Sequence, residues 1–186
     1  MPVPSLAPGR TALVVVDLQR GLVGRDVAPH PADTVIENAL QLAEAFRAAG
    51  GTVVLVRTEP REGAGQPVDV GGGPQPTMGD VVDELRPLGD LTVVKHTWGA
   101  FHGTGLDAGL RARGVDTVVL AGLTTNLGVE STARAAHEHG YAVVVVEDAM
   151  SSLDAAMHEF AVGRVLPLLA RVTTTTAAIT ALTASA

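Results

Sequence analysis

Short runs of apolar, mainly β-branched residues recur along this sequence and alternate with longer stretches that mix apolar and polar residues. The runs are Thr11 to Asp17 (TALVVVD), Thr52 to Thr58 (TVVLVRT), Leu91 to Lys95, Thr117 to Gly122, Ala142 to Asp148 and a weaker one from Ala170 to Thr173. Runs of this length and composition indicate strands. Because they are apolar at nearly every position, they indicate strands that are buried on both faces of a parallel sheet.

The stretches between the runs predict helices that end next to glycine. We predict helices from Asp33 to Ala49, from Gly105 to Arg113 and from Leu127 to His139, each followed by a glycine, and a final helix after Thr173 to Thr176. Glycine in that place readily adopts the left-handed conformation that closes many helices. Strands that alternate with helices predict a single α/β domain over residues 1–186. Its architecture is a three-layer α/β/α arrangement with a six-stranded, mostly parallel, Rossmann-like sheet.

One long irregular stretch interrupts this alternation. The segment from Glu59 to Pro76 is rich in glycine and proline and contains REGAGQPVDVGGGPQP. A long loop inside a compact domain more often has a function than serves as a linker. We therefore predict that it forms a lid or a contact between subunits.

Composition narrows the possible functions. The chain has 186 residues, of which 46% are hydrophobic, and a net charge of -7. Its acidic balance argues against binding to nucleic acid or to an anionic membrane, since such partners require clustered Lys and Arg. Cysteine is absent, which excludes disulfides, thiolate metal sites and thiol catalysis. With no signal-like segment and no apolar run long enough to span a bilayer, we expect a cytoplasmic protein that acts on a small molecule.

Polar residues at the ends of the predicted strands are the first candidates for chemistry, because parallel sheets bind ligands outside the carboxyl ends of their strands. Asp17 and Lys95 each close an apolar run, and Lys95 is the only lysine in the chain. Burial raises the pKa of an aspartate unless a cation lies close by, and a facing Lys and Asp pair can serve as a general acid or base. A structural ion pair, or an Asp that caps a turn, is the alternative interpretation.

A third candidate is the turn after the fourth run, Gly122 to Gly128, within AGLTTNLGVESTAR. Backbone N–H groups at the start of a helix can bind an anion or a developing oxyanion. A plain turn capped by Thr and Asn would have the same composition.

Several motifs along the chain resemble those of one known superfamily in order and spacing. They are VVVDLQ, KHTWGAFHGTGLDAGLRARGVDTVVLAG, LTTNLGVESTARAA and VVVVEDAMSS. This set resembles the isochorismatase-like hydrolases, a superfamily with a cysteine-hydrolase fold that includes isochorismatase, nicotinamidase and N-carbamoylsarcosine amidohydrolase. The resemblance extends from about Thr11 to the final predicted helix.

The resemblance implies a catalytic triad of Asp, Lys and Cys in which Asp17 and Lys95 match the first two members and Gly128 occupies the third. Thioester chemistry is then unavailable. Isochorismatases are similar in lacking the cysteine, and they hydrolyse a vinyl ether, which needs a proton donor but no nucleophile. By this resemblance Asp17 donates the proton, Lys95 orients the Asp17 carboxyl, and Gly128 leaves room for substrate or water. A catalytically silent protein that binds a metabolite or a partner, and amide hydrolysis by direct water attack with Asp17 as base, are the alternatives.

Further residues near these positions are candidates for binding the substrate. Trp98 offers an apolar wall or a packing contact, and Arg57 offers a partner for a carboxylate or an ion pair with Glu59. Gln19 matches the D-x-Q pattern of the family and is expected to bond to backbone near Asp17. In the turn we select Thr124, Thr125 and Asn126. The family also carries a cis peptide that corresponds to Leu123–Thr124, and it implies an oxyanion hole from the N–H groups of Thr124 and Gly128.

We expect no cofactor and no metal. The stretch VRTEPREGAG after the second strand lacks the histidine of a nicotinamidase-type zinc site. The spacing of the histidines along the chain is not that of metal ligands. The histidines are His30, His96, His102, His137, His139 and His158. The family resemblance implies a homodimer or a homotetramer.

Overall fold

A computed structural model of the chain describes residues 5–60, 69 and 78–184. Its strands are β1 (Thr11–Val16), β2 (Thr52–Thr58), β3 (Leu91–Lys95), β4 (Thr117–Leu123), β5 (Ala142–Ser151) and β6 (Arg171–Thr173). They form one sheet in the order β3-β2-β1-β4-β5-β6, and every neighbouring pair is parallel. The predicted six-stranded α/β architecture is confirmed, and the sheet is wholly parallel rather than mostly so.

Helices cover both faces of the sheet. They are α1 (Arg20–Val23), α2 (Ala32–Ala48), α3 (Leu106–Arg111), α4 (Glu130–Glu138), α5 (Ala155–Phe160) and α6 (Thr175–Thr183). Leu13 and Val15 of β1 point into a core cluster with α2 and α6, whereas Val14 and Val16 point into a second cluster with α3 and α4. Alternate residues of a buried strand therefore build two separate cores.

The structure differs from the predicted elements at three places. The predicted helix from Leu127 to His139 begins instead as a π-helical turn, Thr125–Val129, that continues into α4. The short helices α1 and α5 were not predicted. Strand β5 is longer than expected because its register against β4 shifts, so that Leu120 pairs with Val145 but Gly122 pairs with Met150. The extra residues of β5 form a bulge, and bulges change the direction in which side chains point.

Gly122 allows β1 and β4 to approach each other closely. Its φ is +112°, and a Cβ atom there would lie 2.0 Å from the carbonyl oxygen of Val16. No other residue fits that space, so glycine is required where β4 leaves the sheet beside β1.

Most of the segment from Glu59 to Pro76, which we predicted to be a lid or a subunit contact, lies outside the described residues. Within the ranges that the structure describes, no helix is both long enough and apolar enough to cross a membrane.

Candidate active site

The candidate site lies where the strand order of the sheet reverses. β1 pairs with β2 on one side and with β4 on the other. Sheets of this order bind ligands at the carboxyl ends of the strands next to that reversal. Asp17 follows β1 directly and adopts a left-handed backbone conformation with a φ of 52°. Few residues other than glycine adopt it, and when they do the position is often functional.

Asp17 and Lys95 form a buried ion pair. The distance between Lys95 Nζ and Asp17 Oδ2 is 2.7 Å, and the side chains are 2% and 9% exposed, respectively. β2 lies between the strands that carry them, and Thr58 at its end connects the two side chains. The Thr58 hydroxyl accepts a hydrogen bond from Lys95 Nζ at 2.7 Å and donates one to Asp17 Oδ1 at 3.0 Å. The two residues that the sequence singled out are thus in contact.

Lys95 uses all three of its N–H groups inside the protein. Besides Asp17 and Thr58, its ammonium donates to the carbonyl oxygen of Thr97 at 3.1 Å. An ammonium group has three donors and no acceptor. Lys95 is therefore arranged to hold and polarise the Asp17 carboxyl rather than to exchange a proton with a ligand.

Burial raises the pKa of Asp17 above its ordinary value of 3.8, because a desolvated carboxylate is less stable than one in water. The charge and hydrogen bond of Lys95 and the hydroxyl of Thr58 offset part of that rise. The Asp17 carboxyl therefore keeps its proton to a higher pH than an exposed aspartate does.

Gly128 faces this carboxyl. A Cβ atom on Gly128 would lie 3.2 Å from Asp17 Oδ2 and from Val16 Cγ1, and 3.3 Å from the carbonyl oxygen of Leu123. The backbone there is fixed from the other side, since Thr132 Oγ1 donates to the Gly128 carbonyl at 2.7 Å and accepts from the N–H of Ala100. A Cβ there would be crowded, so glycine allows the turn to approach the Asp17 carboxyl closely.

The turn between β4 and α4 has the expected cis peptide bond between Leu123 and Thr124. Thr124 and Thr125 are buried. The Thr125 hydroxyl bonds to His158 Nδ1 at 2.8 Å, and the Asn126 side-chain oxygen accepts a hydrogen bond from Ser152 Oγ. The side chains of Thr125 and Asn126 are therefore bonded within the protein.

Gln19 holds the backbone next to the site through its side-chain amide. Its amide nitrogen donates to the carbonyl oxygens of Thr58 and Gly79, and its amide oxygen accepts from the N–H of Thr58. These bonds connect the end of β2 to the segment before Val81, with which Gln19 forms a bridge. The expectation that Gln19 bonds to backbone near Asp17 is confirmed.

Arg57 and Trp98 are close in sequence to Thr58 and Lys95, respectively. Arg57 Nη2 is 2.7 Å from Glu59 Oε1, so the ion pair that we considered as an alternative is present. Trp98 is 64% exposed. An open crevice adjoins Thr58 at this edge, and its lining consists of Arg57, Thr58, Glu59, Pro60, Gly79 and Asp80.

Sequence reasoning missed two features. Thr58 was read only as the end of a strand, because its bridging role depends on β2 lying between β1 and β3. A group of His30, Glu147 and His158 was missed because His30 and Glu147 are 117 positions apart. Burial, and to a smaller extent the charge of His30, lowers the pKa of His158 to about 4. The approach of His30 and His158 to Glu147 was not predicted from the sequence.

Comparison with known proteins gives one consistent family. A model of the isochorismatase domain matches residues 11–177. The isochorismatase family protein YecD of Escherichia coli O157:H7 is 43% identical over 175 residues, which cover 87% of this chain and 90% of YecD.

Two solved structures extend the comparison. An isochorismatase family protein from Burkholderia thailandensis has a TM-score of 0.82 and 38% identity, with 97% of this chain and 99% of that chain covered. N-carbamoylsarcosine amidase from Thermoplasma acidophilum has a TM-score of 0.70 and 33% identity, with coverage of 89% and 96%.

Proposed function

This chain belongs to the isochorismatase family of hydrolases, and from that premise we propose that it cleaves a small planar or carboxylate-bearing metabolite by proton transfer from Asp17, without a covalent thioester. The bond that fits best is a vinyl ether. One observation carries the proposal: the buried Asp17 carboxyl contacts Lys95 on one side, and on the other it lies so close to Gly128 that a side chain there would be crowded.

Vinyl ether hydrolysis needs a proton donor and a water molecule. Asp17 transfers its proton to the terminal carbon of the double bond, and the positive charge that results is shared with the ether oxygen. Water adds to the neighbouring carbon and gives a hemiketal. The carbon–oxygen bond of the ether then breaks as the hemiketal hydroxyl passes its proton to the leaving oxygen, and the products are a carbonyl compound and an alcohol. The proton that the added water releases restores Asp17. The raised pKa of Asp17 supports this role, since a general acid must hold its proton near the working pH.

Lys95 and Thr58 position Asp17 in this scheme. Their hydrogen bonds hold both carboxyl oxygens, with Oδ2 on the side of Gly128. The backbone N–H groups of Thr124 and Gly128 are candidates for stabilising negative charge on the substrate. Trp98 and Arg57 remain candidates for binding its apolar and carboxylate parts, and for Arg57 this requires exchanging one of its acidic partners for the substrate.

Amide hydrolysis is the second candidate, and the similarity to N-carbamoylsarcosine amidase favours it. Without a thiol, ionised Asp17 would act as a base and activate water for attack on the carbonyl carbon. A protein without catalytic activity that only binds a metabolite or a partner is less well supported, because Asp17 and Lys95 form a buried ion pair.

A panel of vinyl ethers, including isochorismate, and of amides and ureido compounds separates these functions. We expect the wild-type chain to hydrolyse a vinyl ether and Lys95→Ala to lose most of that activity. Turnover of amides alone would favour the second candidate. If the chain binds a compound of the panel but hydrolyses none of them, a protein that binds a metabolite without catalytic activity would be favoured.

A further inference from the structure

Three side chains from distant parts of the chain meet beside the turn that carries Thr125. His30 lies between α1 and α2, Glu147 lies in the bulge of β5, and His158 lies in α5. One ligand atom of each lies within 4.8 Å of those of the other two. Two imidazoles and one carboxylate are the ligands of several catalytic zinc sites, in which water completes the coordination.

We propose that His30, Glu147 and His158 bind a zinc ion. Two ligands that are each about 2.1 Å from a tetrahedral zinc lie about 3.4 Å from one another. His30 Nε2 and Glu147 Oε2 are 3.3 Å apart, which matches that spacing. The ligand nitrogen of His158 lies within 4.8 Å of both of these atoms, so a small movement of its side chain would bring it to the same spacing.

His158 has the support that zinc-bound histidines usually have. Its Nδ1 bonds to the Thr125 hydroxyl at 2.8 Å, and the residue is 3% exposed. With zinc on Nε2 the Thr125 hydroxyl would accept the Nδ1–H of His158, and such partners of the second ring nitrogen orient metal-bound histidines. Thr125 also begins the turn that leads to Gly128, so a bound ion would restrain that turn.

The backbone that carries the other two ligands is anchored. The segment before His30 pairs with Ser152, since Ala28 and Ser152 exchange N–H···O bonds of 2.8 and 3.0 Å. Next to Glu147, the carboxylate of Asp148 accepts bonds from the N–H and the hydroxyl of Thr175. Asp148 is thereby held away from the group, and Glu147 is the carboxylate of the bulge that reaches the histidines.

The group is accessible to an ion from solvent. The side chains of His30 and Glu147 are 28% and 32% exposed, whereas His158 closes the inner side. Water can therefore occupy the fourth position of a tetrahedral zinc. Nothing in this inference depends on the reaction assigned to Asp17.

Calorimetric titration of the EDTA-treated full chain with Zn²⁺ tests the proposal. We expect one ion per chain with a dissociation constant in the micromolar range or below, and no comparable binding of Mg²⁺, which prefers oxygen ligands. Addition of Co²⁺ in place of Zn²⁺ should give the visible absorption bands of a four-coordinate site. Thermal melting should shift to higher temperature with Zn²⁺, because the ion binds the folded chain.

Substitutions at His30 and Glu147 separate zinc binding from folding, because both side chains are partly exposed and the variants are expected to fold. Glu147→Gln and His30→Gln should each weaken Zn²⁺ binding at least tenfold and abolish the thermal shift. The matched control, His102→Gln, changes an exposed histidine outside the group and should bind as the wild type does. Failure of the wild-type chain to bind Zn²⁺, or binding that both ligand variants retain, would overturn the proposal and leave an ordinary hydrogen bond between His30 and Glu147.

Discussion

A Cβ atom on Gly128 would lie 3.2 Å from Oδ2 of Asp17, the oxygen that contacts Lys95. From the sequence we predicted that Gly128 occupies the position of the cysteine nucleophile. The buried Asp17 and Lys95 pair therefore lies against a glycine in the predicted place of a thiol.

A side chain at position 128 should impair catalysis because it would displace the Asp17 carboxyl. Gly128→Ala adds a Cβ that is crowded by Asp17, Val16 and Leu123. We expect kcat/KM for the vinyl ether to fall at least tenfold with the fold retained, as measured by steady-state kinetics and circular dichroism. Gly163→Ala is the control, because a Cβ there would meet no heavy atom within 4 Å. Equal activities of the two variants would contradict a role for the close approach of Gly128 to Asp17.

The pH profile should report the proton on Asp17. Burial raises the Asp17 pKa above 3.8, and the acid mechanism requires the protonated form. As pH rises through the raised pKa, kcat/KM for the vinyl ether should therefore fall, with a midpoint above 3.8. Amide hydrolysis with Asp17 as base would instead rise through the same pKa. Whether kcat/KM falls or rises with pH distinguishes the two reactions. It is measured with one substrate over the pH range in which the protein stays folded.

The Thr58 hydroxyl should determine the pH at which kcat/KM for the vinyl ether falls to half. Its hydrogen bond lowers the Asp17 pKa, so Thr58→Val, which removes the hydroxyl at nearly constant volume, should move the midpoint to higher pH and lower kcat. Thr58→Ser keeps the hydroxyl and should retain the wild-type midpoint. A midpoint that is the same in all three proteins would mean that Thr58 does not act on Asp17.

Loss of Lys95 should destabilise the fold. In Lys95→Met the Asp17 carboxyl stays buried without its counterion, and breaking a buried pair typically costs about 3–5 kcal/mol near neutral pH. Arg134→Met breaks an exposed pair with Glu130 on one helix and should cost about 0.5 kcal/mol or less. Urea unfolding gives both free energies of unfolding. A cost for Lys95→Met no larger than that of the surface control would show that the buried pair contributes little.

Much of the fold could be predicted because its strands are short, apolar and buried on both faces. Asp17 and Lys95 could be found for the same reason, since a charged residue that closes such a strand stands out. Thr58 could not be found this way, because threonine is common in strands and its role arises only when β2 pairs between β1 and β3.

The region around α5 was harder to predict. Met157 and Phe160 in that helix are 50% and 64% exposed, so its apolar residues do not mark a buried face. The bulge in β5 that carries Glu147 depends on pairing with β4, which no local pattern encodes. The approach of Glu147 to His30 and His158 therefore follows from tertiary structure alone.

The most direct test of the central claim is the rate of vinyl ether hydrolysis by Asp17→Asn relative to the wild type, with isochorismate as the first substrate. Asparagine keeps the size of the side chain but has no carboxyl proton to transfer. We expect the wild-type chain to hydrolyse a vinyl ether and the variant, folded by circular dichroism, to lose at least about a hundredfold in kcat, the lower end of the range of about 10²–10⁴ for general acid catalysis. A variant as active as the wild type, or a wild-type chain that hydrolyses no vinyl ether above background, would contradict the account.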